Sequence, residues 1–236
     1  MLTPTKHPSP PEGVAALEHE ARSLLTTLDA HPAARRLFEG RIHAAGYAHY
    51  LVQTYHYVRW TTPLLAEAGH RLKQQGRHPL LAALLLQKAN EERGHEKWLL
   101  ADLKHLGWSA AQVEGVAPNP AVRAYVAWNR YTTCAGMPMA FLGTAYVLEY
   151  LSVQRAQATV ARLLAANTIP NIHRAVTFLR GHGDADGDHV AGLTSLLSTL
   201  TAQDEQAALL LSARTTRALY PDLFPEEATP SLPYTS

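Results

Sequence analysis

The sequence predicts an all-α protein, a single-domain helical bundle of about seven to eight helices. Three observations point there. Apolar residues recur at three- and four-residue spacings, the period that gives a helix one buried face. Ala, Leu, Gln, Glu and Arg dominate, and these residues cost little in a helix. Alternating β-branched runs, the mark of a strand, are absent.

The periodic segments cover 14–29, 32–45, 46–75, 78–106, 119–134, 138–167, 171–200 and 203–219. Their punctuation is consistent. Pro79 suits a first turn, and Gly107 closes the helix before it. Asn119-Pro120 and Met137-Pro138 mark starts, and Ile169-Pro170-Asn171 marks a break. Residues 1–13 and 225–236 are Pro-rich and read as a disordered and a mobile tail. Between them, 14–224 carries no 20–50-residue repeat, no linker and no sustained heptad, so one helical domain is expected.

Composition removes several function classes. The 236 residues carry a net charge of +1, which gives no field for nucleic acid. The lone Cys134 excludes an internal disulfide and any Cys-rich metal site. Met1–Gly13 lacks the apolar core of a signal peptide, and no run approaches a membrane span, so a cytoplasmic protein is expected. Histidine is abundant, at 13 residues against 21 Lys+Arg. It is the commonest metal ligand, so its positions matter.

Three segments carry chemistry. In Arg180-Gly181-His182-Gly183-Asp184-Ala185-Asp186-Gly187-Asp188-His189, His182, Asp186 and His189 stand at i, i+4 and i+7. On a helix they would share a sector of about 60°. A calcium loop is the rival, but glycine is misplaced for an EF-hand and Ser195 stands where its bidentate Glu belongs. A polar loop is the other rival, because Gly181, Gly183 and Gly187 each weaken a helix by about 1 kcal/mol. In Asn90-Glu91-Glu92-Arg93-Gly94-His95, the Glu92/His95 pair has the Glu-x-x-His spacing with which bundles hold iron or manganese. Asp102 follows His95 by seven residues and is a candidate to orient its imidazole, or a surface ion-pair partner. Glu149 is the one acid in the apolar segment 138–153, where an acid is paired, protonated or metal-bound. Arg155 and Arg180 are its candidate ion-pair partners. The six residues Glu92, His95, Glu149, His182, Asp186 and His189 form a mixed N/O set without thiolate, suited to iron or manganese. Two ferrous ions against three carboxylates leave about +1, which favours an anionic partner such as a carboxylate-bearing substrate or reduced dioxygen.

Glu-x-x-His, then a lone Glu, then His-x-x-x-Asp-x-x-His resembles the heme-oxygenase-like diiron oxidases, whose fold is shared with thiaminase II and the pyrroloquinoline-quinone synthase. The resemblance spans most of the chain, including Tyr47–Arg59. It implies a heme-oxygenase-like bundle and two Fe(II) ions, with manganese as the alternative metal and dioxygen as co-substrate. Glu92, His95 and His182 would hold one iron; Glu149, Asp186 and His189 would hold the other. Some members place the first Glu seven residues before the His, where this chain has Lys88, which leaves Glu91 as an alternative to Glu92. The family oxidises, cleaves or N-oxygenates amino acids, amines and fatty acids, commonly in biosynthesis, with an external reductant. Its third helix is often loose until metal binds, which the three glycines at 181, 183 and 187 would explain. Tyr55, His56, Arg59 and Tyr146 are the substrate-side candidates. The Ala- and Leu-rich outer helices are compatible with a homodimer.

Rival functions remain at this level. A thiaminase-like enzyme would need Cys134 as nucleophile. A quinone-cofactor-synthase-like enzyme, a true heme oxygenase and a non-catalytic metal-binding partner protein complete the set.

Overall fold

The computed structural model describes residues 12–183 and 187–224. Eleven α-helices and no strand occur among them, more helices than expected because the segments 78–106 and 171–200 each divide and α6 lies outside every predicted segment. In order they are α1 (Glu12–Ala30), α2 (Pro32–Phe38), α3 (Ala44–Gln74), α4 (Pro79–Glu91), α5 (His95–His105) and α6 (Ala110–Gly115). Then come α7 (Pro120–Cys134), α8 (Phe141–Ala166), α9 (Thr177–Gly183), α10 (Gly187–Leu197) and α11 (Gln203–Leu219).

Local chemistry sets most of these ends. Pro32, Pro79 and Pro120 open α2, α4 and α7, where a missing N–H costs nothing. His31 and His43 spend their Nδ1 atoms accepting the amides of Ala34 and Gly46, which removes two histidines from the pool of metal ligands. Ser109 and Gln112 close a capping box on α6, a helix that apolar periodicity does not reveal. The segment 78–106 is not one helix. It breaks after Glu91, and Gly94 turns the chain with φ +94°, a conformation that glycine adopts without strain.

Around α3, the longest helix at 31 residues, pack α4, α5 and α7. Around α8 pack α1, α9 and α11. α8 and α11 cross closely at Gly143, where a Cβ would lie 2.1 Å from the Leu209 carbonyl oxygen. Polar side chains knit the interior: Thr144 donates to Asn129 at 3.0 Å and meets Thr216 at 2.9 Å, joining α7, α8 and α11. No helix among the described residues is long and apolar enough to cross a membrane.

Glu20 fixes α1 to α11. Its buried carboxylate accepts from Arg214 at 3.0 Å and from Arg217 at 2.6 Å. Burial alone would push its pKa up, but the two guanidinium groups outweigh that and hold it below the ordinary 4.5. The contribution to stability is therefore complete above about pH 4.5 and fades as pH falls toward the folded-state pKa. Glu20→Gln should lower the unfolding free energy at pH 7 by about 1–3 kcal/mol. Denaturant titrations at several pH values should show the gap to wild type narrowing below pH 4.5. A gap independent of pH would contradict this account.

Candidate metal centre

One buried carboxylate aligns the two helices that carry ligand-type histidines. Asp102, on α5, is fully buried and accepts the backbone amides of Thr177 at 3.0 Å and Phe178 at 2.9 Å. These amides open α9, so Asp102 caps that helix and does not orient His95 as the spacing predicted. Burial pushes its carboxyl above the ordinary range, against the opposing pull of the two amides and of His105.

With α9 fixed in this way, His182 comes beside His95, with ring centroids 4.9 Å apart. His182 Nδ1–H donates to the Phe178 carbonyl at 2.9 Å, which leaves its Nε2 lone pair facing Glu92 Oε2 at 3.9 Å. Burial lowers the His182 pKa; the field of Glu92 opposes this without cancelling it. The imidazole is therefore neutral at pH 7, the form that ligates metal.

Glu92 ends α4 and His95 begins α5, so this pair straddles the Gly94 turn and does not share one helical face. His95 Nδ1–H donates to Glu92 Oε2 at 2.9 Å. Burial would raise the Glu92 pKa, but the bond from His95 and the fields of His182, His95 and Lys88 hold it below the ordinary carboxylate range. Glu91 also lines the cavity but accepts from Gln87 at 2.8 Å. One donor atom from each of Glu92, His95 and His182 lies within 4.8 Å of the others, a span that a single ion can bridge.

Aromatic packing holds the imidazoles in place. Trp98, marked in sequence only by its position one turn after His95, stacks on that ring at 4.0 Å and 24°. Phe178 covers His182 at 4.2 Å. The α9 glycines also permit this packing. A Cβ on Gly181 would lie 2.6 Å from Trp98 Cζ3, and one on Gly183 would lie 3.0 Å from Gln157 in α8.

Glu149 faces the same cavity from α8. Its Oε1 accepts from the Lys88 ammonium, while Oε2 is buried with no hydrogen-bond partner among the described residues. Neither expected arginine serves as its counterion: Arg155 binds Asp29 at 2.6 Å, and Arg180 is exposed. Asp186 and the side chain of His189 lie outside the described residues, as does residue 185 between α9 and α10.

The cavity encloses about 400 Å³ and is largely apolar, with Leu65, Phe141, Leu148, Leu151 and Phe178 in its wall. Tyr50, Tyr57, Tyr125 and Tyr220 also line it, and burial pushes the pKa of each upward, so they present neutral hydroxyls. Tyr55, His56, Arg59 and Tyr146, the substrate-side candidates, are absent from that wall. Tyr55 reaches Glu114 at 3.5 Å, Arg59 lies over the Tyr55 and Trp60 rings, and His56 bonds the backbone at Val116. Tyr146 packs toward Tyr150 and Thr194. A helix as long as α3 lines the cavity with one face, and periodicity alone does not say which.

A family described as iron-containing redox enzymes matches residues 48–220. The chain belongs to that family. The structure of a domain of unknown function with a heme oxygenase-like fold from Shewanella denitrificans aligns with a TM-score of 0.75 at 20% identity, covering 89% of each chain. A TenA homologue from Pseudomonas syringae pv. tomato aligns at 0.73 and 14% identity, over 94% of this chain and 96% of that one. A TenA homologue from P. horikoshii aligns at 0.69 and 16% identity, over 89% and 97%. No curated protein matches the chain. Together these place the chain in the heme-oxygenase-like fold, as its sequence pattern implied. In this member of the iron-containing redox enzymes, the Glu92, His95 and His182 donor set and the unpartnered Glu149 oxygen fit an iron site.

Two glycines separate packing from helix propensity. Gly181→Ala should cost about 1–3 kcal/mol of stability by displacing Trp98 from His95, and should weaken Fe(II) or Co(II) binding. Gly192→Ala, where no atom lies within 4 Å of the added Cβ, should stabilise by about 0.5–1 kcal/mol and leave metal affinity alone. Metal titration and denaturant melts of both variants check this; undiminished affinity in Gly181→Ala would refute the role given to the stack.

Proposed function

We propose that this chain is a non-heme diiron oxidase or oxygenase acting with dioxygen on a small organic substrate held in the 400 Å³ cavity. The observation that carries the proposal is the convergence of Glu92, His95 and His182 on the wall of that cavity. In the reading that the resemblance implies, these three hold one iron, and Glu149 with Asp186 and His189 holds the other. Bound ferrous iron would supply the electrons that reduce dioxygen, an external reductant restoring them; manganese is the alternative metal.

The chain's own residues prepare the place. His182 is neutral and fixed in one tautomer by the Phe178 carbonyl. Glu92 is held ionised by its neighbours. The apolar wall excludes bulk water and takes the hydrocarbon part of a substrate. The tyrosines of the wall stay neutral, with the hydroxyls of Tyr50, Tyr57 and Tyr220 bonded among themselves, so they add no charge to the cavity.

A metal-independent thiaminase-like enzyme is the second reading, and the TenA homologues among the structural neighbours favour it. It requires a cysteine nucleophile at the substrate. Cys134 is exposed at the end of α7 and does not line the cavity, which supports the redox reading.

Anaerobic Fe(II) loading followed by oxygen should give bound iron, a transient visible absorption and oxygen uptake. Glu92→Gln and His182→Ala should each lower iron retention by about tenfold or more. Cys134→Ala should leave iron binding and oxygen uptake unchanged. A wild-type chain that binds no iron would end the proposal. Loss of turnover in Cys134→Ala would favour the thiaminase-like reading.

A further inference from the structure

Lys88 is 7% exposed, in the last turn of α4, and its ammonium is bonded to Glu149 Oε1. A cation this deep is costly unless paired, and a divalent ion brought to the same carboxylate would be repelled by it. Glu149 is engaged on one side only, because Oε2 is buried with no hydrogen-bond partner among the described residues. Arg155, which also lines the cavity, is committed elsewhere, bonded to Asp29 at 2.6 Å. The Glu92, His95 and His182 donors lie within 4.8 Å of one another, and among the described residues the ammonium acts on Glu92 through its field alone, without a bond to that carboxylate.

We infer that Lys88 is a tethered cation that holds Glu149 in place of a metal ion, so that the two metal positions load unequally. The Glu92, His95 and His182 position fills first. The Glu149 position fills only when the ammonium is displaced from the carboxylate. This rests on the diiron reading above and adds to it an order of loading set by a side chain that is not itself a ligand.

The test is equilibrium titration of the full chain with Fe(II) under anaerobic conditions and with Co(II), followed by calorimetry and visible absorption. Wild type should bind one ion tightly and a second at least about tenfold more weakly. Lys88→Met should strengthen the second event by about tenfold or more and the first by clearly less, because the ammonium is bonded to Glu149 and reaches Glu92 only through its field. Lys88→Arg, which keeps the charge, should retain the wild-type gap. Glu149→Gln should bind a single ion. If circular dichroism shows that Lys88→Met is unfolded, Lys88→Gln replaces it, with the same expectation.

Two equal affinities in wild type would overturn the inference without any variant. So would a second event insensitive to Lys88→Met or Lys88→Gln, or weakening confined to the first. A wild-type chain that binds no ion would instead bring down the diiron reading itself, which separates the two failures.

Discussion

The grouping of Glu92, His95 and His182 depends on the two hydrogen bonds that Asp102 accepts from the start of α9. Burying a carboxylate completely is unfavourable unless its oxygens are satisfied, and here each takes one backbone amide that a helix start would otherwise leave open. The bonds fix where α9 begins relative to α5. Five residues into α9, the chain then presents His182 to Glu92 and His95. Without that registration, a seven-residue helix would have little to define its position, because α9 is too short for its own propensity to order it.

Around this anchor, each charge has a stated cause. Glu92 is kept ionised by the imidazoles and Lys88 despite burial, while His182 is kept neutral by burial despite Glu92. The two groups are driven in the directions that ligation of a hard cation requires. Aromatic faces from Trp98 and Phe178 stiffen both rings. Phe178 acts twice, through its carbonyl on Nδ1 and its ring on the imidazole.

Fold class was legible because helical periodicity survives wherever one face is buried, as along α3, α8 and α11. The breaks were less so. Gly94 reads as a tolerated helix glycine until its φ of +94° is seen, and α6 rests on the polar Ser109–Gln112 box rather than on apolar repeats. At the site, Glu92, His95 and His182 were named from spacings along the chain, and the structure brings one donor atom of each within 4.8 Å, although the shared helical face expected of Glu92 and His95 is broken by the Gly94 turn. Contacts between distant segments were not readable. The roles of Asp102 and the Lys88–Glu149 pair, and the removal of Tyr55, His56, Arg59 and Tyr146 from the cavity wall, follow from how helices rotate about their axes on packing. Likewise Gly181 and Gly183 mark close approach to Trp98 and Gln157, a constraint that sequence displays only as glycine.

The tight seat of Gly181 also bears on how such a protein diversifies. Any side chain at that position collides with the indole over His95, so substitution there threatens the ligand geometry directly. Leu65, Leu148 and Leu151 line the cavity from α3 and α8 without touching that stack. On the function proposed above, changes at these leucines would reshape the space for a substrate and leave the stacked rings as they are, so one scaffold could serve chemically unrelated molecules.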